Sequence, residues 1–162
     1  MGYYDEISEG YEELHKEEQL KKIALIKEHF SVRKEDKLLD VGCGTGLTTE
    51  PWECFRVGVD PAPKLLARAR QRDKIKYVLA PAEKLPFSGG EFDVVISITA
   101  IQNFEDISKG LDEIKRVGKD RFVLTFLKKS EKRGKIEKLI RELFKVKKVI
   151  EEDKDMIYII EG

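Results

Sequence analysis

The residues best suited to chemistry sit in one short stretch, LLDVGCGTGLTT over positions 38 to 49. There Gly42, Gly44 and Gly46 alternate behind an apolar run, and Asp40 stands two residues ahead of the first glycine. Glycines at every second position strip Cβ atoms from a turn, so backbone N–H groups and the start of a following helix can approach a ligand closely. The spacing is GxGxG. It is not the GxGxxG of dinucleotide-binding folds, because Leu47 occupies the place of the third glycine that lets helix and strand pack. A second acid, Asp60, closes the next apolar run, FRVGVD, where a carboxylate can accept hydrogen bonds from both hydroxyls of a ribose. Asp40, beside the glycines, suits a cationic group and would repel a pyrophosphate. A ribose at one end and an ammonium at the other describe S-adenosylmethionine.

The elements that must hold these residues can be read from hydrophobic periodicity. From Tyr11 to Phe30 apolar residues recur at mixed spacings of three and four, a helix with one buried face. KLLDVG (37 to 42), FRVGVD (55 to 60), IKYVLA (75 to 80), FDVVISIT (92 to 99), RFVLTFL (121 to 127), KVKKVI (145 to 150) and MIYIIEG (156 to 162) read as seven strands. Helical segments are expected at 46 to 54, 62 to 72, 105 to 118 and 130 to 144. Such alternation, with continuously apolar central strands, describes an α/β fold: a doubly wound, Rossmann-like, seven-stranded sheet, mostly parallel, with helices on both faces. Only EEDKD separates the last two strands, so they should form a C-terminal antiparallel hairpin at the sheet edge. No linker marks a second domain. Residues 1 to 30 read as an N-terminal lid segment and helix, and 31 to 162 as the ligand-binding domain.

DVGCGTG, GVDPAPKLLARAR, PAEKLPF and FDVVISITAIQNF resemble, in order, the successive motifs of class I S-adenosylmethionine-dependent methyltransferases of the quinone C-methyltransferase kind. The resemblance implies that the first motif cradles the methionine part of the cofactor, which assigns Asp40, Gly42, Cys43, Gly44 and Gly46 to it. It implies a ribose contact at Asp60, with Pro61 beside it, and an adenine contact at Ala82 and Glu83. Thr99 and Ala100, after strand four, should face the sulfonium and the incoming substrate. An N-terminal tyrosine-rich helix folds over the cofactor in similar enzymes, which makes Tyr4 and Tyr11 candidates, and His15 lies close to them.

Composition excludes several classes. Lys plus Arg equals Asp plus Glu at 31 each, so no global field draws the chain to nucleic acid or to an anionic membrane. The apolar runs are strand-sized, far below the roughly 20 residues of a membrane span, and the N-terminus has no signal-peptide character. The sequence therefore reads as a soluble, cytoplasmic protein without a membrane partner. Cys43 and Cys54 have no CxxC partner or His cluster, so neither a metal site nor a disulfide framework is expected. Charged residues reach 38% while Asn and Gln are scarce, a balance seen in thermophile proteins.

The acceptor is open at this level. ITAIQNF, after strand four, contains no Asp, His, Cys or Lys to act as a general base, and it lacks the Asp/Asn-Pro-Pro-Tyr motif of amino-group methyltransferases acting on adenine or glutamine. A nucleophile with a free lone pair would need no base. The same stretch resembles that of ribosomal RNA guanine-N7 methyltransferases. Between Lys128 and Lys148 ten Lys or Arg stand against three acids, a stretch that could grip an RNA backbone or be a solvated face. Small-molecule and protein acceptors fit the motifs as well, and a regulatory module that binds S-adenosylmethionine without turnover is the reading of another class. With little chain left over for substrate selection, an activator subunit or a homodimer is a further expectation.

Overall fold

The computed structural model describes residues 9–162, with side chains from Glu13 onward. Tyr4 and the side chain of Tyr11 lie outside the described residues. All seven expected strands are present: β1 (Lys37–Val41), β2 (Phe55–Asp60), β3 (Ile75–Leu79), β4 (Phe92–Ser97), β5 (Gly118–Leu127), β6 (Val146–Glu151) and β7 (Asp155–Glu161). They form one sheet in the order β3-β2-β1-β4-β5-β7-β6. The first five strands run parallel, and β7 pairs antiparallel with both β5 and β6, so the C-terminal hairpin closes one edge. The strand order reverses between β1 and β4. This is where an open parallel sheet leaves a crevice at the carboxyl ends of its strands.

Alternation along the strands feeds two cores. Leu39, Val41, Val95, Leu124 and Phe126 belong to one, together with Leu111 and Ile114 of α3 (Ile107–Val117) and Ile136 and Ile140 of α4 (Arg133–Leu143). Leu38, Val94, Ile96 and Val123 point the other way and meet Ile23, Ile26 and Phe30 from α1 (Glu9–His29) and its end. Period-two alternation in strands covered on both faces gives this result.

Two expected helices are corrected. The stretch 46 to 54 forms turns: Gly46 O accepts the N–H groups of Thr49 and Glu50, and Pro51, with no N–H to donate, ends the coil after that single turn. The segment 62 to 72 shrinks to α2 (Pro63–Ala67), which fully buries none of its residues and so gains little packing to extend it. Strand β5 starts at Gly118, three residues before the sequence pattern suggests, and β4 ends at Ser97, two residues short of Thr99. Thr99 leaves the strand because its backbone turns to φ +54.

Candidate active site

The glycine loop leaves the carboxyl end of β1 and is tied to β2. Gly42 and Cys43 both donate to Val59 O, at 2.8 and 3.0 Å, and Gly44 N donates to Asp60 Oδ2 at 2.9 Å. Asp60 Oδ1 accepts Ala62 N at 2.9 Å, so one carboxylate fastens the loop on one side and the start of α2 on the other. Gly44 has φ +55, and a Cβ built there would meet nothing nearer than Leu65 Cδ1 at 4.0 Å. Its bare face therefore opens onto free space. Gly42, at φ +78, is bare for a second reason: a Cβ would lie 2.6 Å from that of Ala100.

Asp40 lies one layer beneath. It is fully buried, and its Oδ2 accepts the hydroxyls of Thr48 and Thr49 at 2.7 and 2.8 Å, holding the far limb of the loop. Its Oδ1 has no hydrogen-bond partner among the described residues. Burial raises the carboxyl to about 6, against the downward pull of the two threonine hydrogen bonds. Burial, followed by the charges of Asp40 and Asp60, pushes the Cys43 thiol well above its ordinary range, which disfavours the thiolate.

A cleft of about 940 Å³ opens over the loop. Gly42, Cys43, Gly44, Asp60, Pro61, Ala82, Glu83, Thr99 and Ala100 line it, so the structure brings nine of the sequence candidates together. Asp40 and Gly46 stand behind the wall; Gly46 packs against the Tyr77 hydroxyl. Glu83 Oε2 accepts Asp106 N at 3.0 Å at the start of α3. Helix α1 crosses the opening and contributes His15, Gln19 and Lys22. His15 is held below its ordinary value, chiefly by burial.

One polar network on this wall escapes sequence reasoning. Lys22 and Asp155, 4% and 0% exposed, form an ion pair with Nζ 3.1 Å from Oδ1. The ammonium lies off the line of a hydrogen bond to that oxygen, so the contact is electrostatic. Lys22 Nζ also donates to Gln19 Oε1 at 2.9 Å and to Thr99 Oγ1 at 2.7 Å, while Thr99 and Thr125 each donate to Asp155 Oδ2 at 2.7 Å. Thr99 needs such support. A β-branched residue at φ +54 is strained by about 1–3 kcal/mol and persists only where its surroundings over-determine it. Its N–H donates to Thr125 Oγ1 at 2.8 Å and its carbonyl accepts Gln102 Nε2 at 2.9 Å. In the sequence Lys22 is one lysine of a charged helix and Asp155 one acid of EEDKD; only their shared burial singles them out.

Sheet order, glycine loop and the acid ending β2 together define a Rossmann-like domain with its cleft at the switch point. The chain belongs to the methyltransferase domain family, which matches residues 39–126. It is 32% identical over 130 residues to an uncharacterised protein of Methanocaldococcus jannaschii, covering 76% of this chain and 49% of that one. It is 36% identical over 89 residues to the demethylmenaquinone methyltransferase of Chlorobaculum tepidum, covering 52% and 37%. The chain thus spans about half the length, or less, of these curated relatives. Its fold is similar to that of a chain in the complex between the Haloferax volcanii Trm112 methyltransferase activator and a putative methyltransferase, with TM-score 0.78, 15% identity and 94% of each chain covered. Among the described residues no helix is long and apolar enough to cross a membrane.

Proposed function

We propose that the chain binds S-adenosylmethionine across the glycine loop and transfers its methyl group to an acceptor held beside Thr99. The observation that carries this reading is the open face of Gly44 next to Asp60, in a cleft that Thr99 and Ala100 also line. The residues present fit the cofactor. Gly44 leaves room for the methionine part with Gly42 and Cys43 beside it, Asp60 keeps lone pairs free for ribose hydroxyls, and Pro61, Ala82 and Glu83 wall the place for adenine. When bound, the cofactor supplies a methyl group already activated by a sulfonium. The protein's own share is positioning: the loop fixes the donor end, α1 screens the cleft, and the Lys22–Asp155 network fixes Thr99.

The family assignment supports transfer over mere storage of the cofactor. Incubation with methyl-labelled S-adenosylmethionine and fractionated cell extract tests it. Label is expected in one fraction together with S-adenosylhomocysteine, whereas a regulatory binder would make neither.

RNA is the acceptor class with an observation of its own. Lys132, within the basic stretch, reaches the cleft edge by donating from Nζ to Gln102 O at 3.1 Å. Against it, Lys128, Arg133 and Lys147 spend charge on Glu151, Glu137 and Glu161. Replacing Lys128, Lys129, Lys132 and Arg133 with Ser is expected to weaken RNA binding and flatten its salt dependence while leaving cofactor affinity unchanged. An activator subunit is also part of this reading, supported by the fold shared with the Haloferax volcanii complex. The outer edge of β3, which meets no further strand among the described residues and carries Leu79 59% exposed, is where a further strand could add.

A further inference from the structure

The proton directions in the network around Thr99 are determined by chemistry. Asp155, wholly buried and charge-balanced by Lys22, can only accept. Thr99 and Thr125 must therefore both turn their hydroxyl protons to its Oδ2. Thr125 Oγ1 receives the Thr99 N–H, and Thr99 Oγ1 receives a proton from Lys22. A hydroxyl has one proton and two lone pairs. Thr99 has committed its proton and one lone pair, and its second lone pair, on a residue that lines the cleft, meets no donor among the described residues. Gln102 has the same polarity. Its Nε2 faces the Thr99 carbonyl, an orientation the reverse flip would replace with two opposed oxygens, and its Oε1 is buried with no donor among the described residues.

We propose that Thr99 and Gln102 form the methyl-acceptor subsite and that it takes a protic acceptor, a group that presents N–H or O–H hydrogens to these two oxygens; with the cofactor bound, the acceptor's lone pair would form the bond to the methyl carbon as the carbon–sulfur bond breaks, and the methylated group would then lose its proton to water. Asp155 and Lys22 act through Thr99 as positioning residues: they set which way its hydroxyl points. An acceptor offering only a lone pair meets two oxygens here and is repelled. The place of this subsite beside the transferred methyl rests on the function proposed above; its polarity does not.

Asp155→Asn reverses the polarity. Lys22 holds the amide oxygen on its own side, which turns the Asn Nδ2 donor toward Thr99. Thr99 Oγ1 then spends both lone pairs and turns its proton to the cleft.

Two rings of equal size read the difference: pyrrole offers an N–H donor and furan only an oxygen. Titrated into the ¹⁵N-labelled full chain, pyrrole is expected to shift the amide signals of Thr99 and Gln102 at a concentration lower than furan by roughly five-fold, the factor one net hydrogen bond supplies. Asp155→Asn should abolish or invert that preference. Should Asp155→Asn fail to fold, Thr99→Val is expected to lose the preference and Thr99→Ser to keep it. Equal shifts from the two rings, earlier shifts from furan, or no shift from pyrrole up to its solubility limit would overturn the proposal. Calorimetry with S-adenosylmethionine on the same samples reads the cofactor site separately. Absence of binding there overturns the cofactor reading, while the ring preference still decides the polarity of the floor.

Discussion

Asp40→Asn should stabilise the protein at neutral pH and far less at pH 4. Asp40 ionises near 3.8 in an unfolded chain and at about 6 in the fold, where burial penalises its charge. The folded state thus holds the proton more tightly than the unfolded state between these values, and stability falls as pH rises through that window. Below about 3.8 both states are protonated and the penalty is absent; above about 6 it is complete. A shift of about two pKa units corresponds to about 3 kcal/mol, since each unit is worth about 1.4 kcal/mol. The neutral amide of Asn keeps the shape and can still meet the hydroxyls of Thr48 and Thr49. The variant should therefore gain up to about 3 kcal/mol at pH 7.5, a rise in melting temperature of roughly 6–12 °C for a chain of this size. At pH 4 the gain should shrink to about 0.5 kcal/mol. Thermal melts of both proteins across this range are the assay. An equal difference at pH 4 and 7.5, or a loss of stability at pH 7.5, would refute the claim that burial of a charge dominates at this position.

Other perturbations follow from the same geometry. Gly44→Val places a branched side chain in the open face of the loop at φ +55; cofactor binding should be lost while the melt shifts by only about 1–2 kcal/mol of backbone strain, and normal binding would mean that the loop is not the cradle. Lys22→Met leaves Asp155 buried without its counter-charge and should destabilise by about 3–5 kcal/mol in denaturant titration; adding Asp155→Leu should recover part of that loss, since removing both charges removes the desolvation penalty. Asp60→Ala should weaken S-adenosylmethionine binding by about 1–3 kcal/mol, the range for losing a charged hydrogen-bonding partner.

The central strands were legible because they are buried on both faces, so that VVISI shows as an apolar run broken only by Ser97. The glycine loop and Asp60 were legible because a backbone stripped of Cβ atoms and an acid at a strand end have few other uses. What the sequence hid depends on contacts between distant segments. The helix expected over 46 to 54 has suitable residues around Leu47, but Thr48 and Thr49 turn inward to Asp40 and Pro51 stops the coil. Asp40 has the type and place of a ligand contact, and only its burial discloses that it holds the loop from beneath. Lys22 and Asp155 come from opposite ends of the chain. Neither has a local pattern that distinguishes it from its charged neighbours, because what makes them a pair is α1 crossing the end of β7.

The measurement that bears most directly on the cofactor site is calorimetric titration of S-adenosylmethionine into the wild-type chain and into Asp60→Ala. One cofactor per chain is expected in the wild type, and an affinity lower by roughly one to two orders of magnitude in the variant. No heat of binding in the wild type, or the same affinity in both, would contradict it.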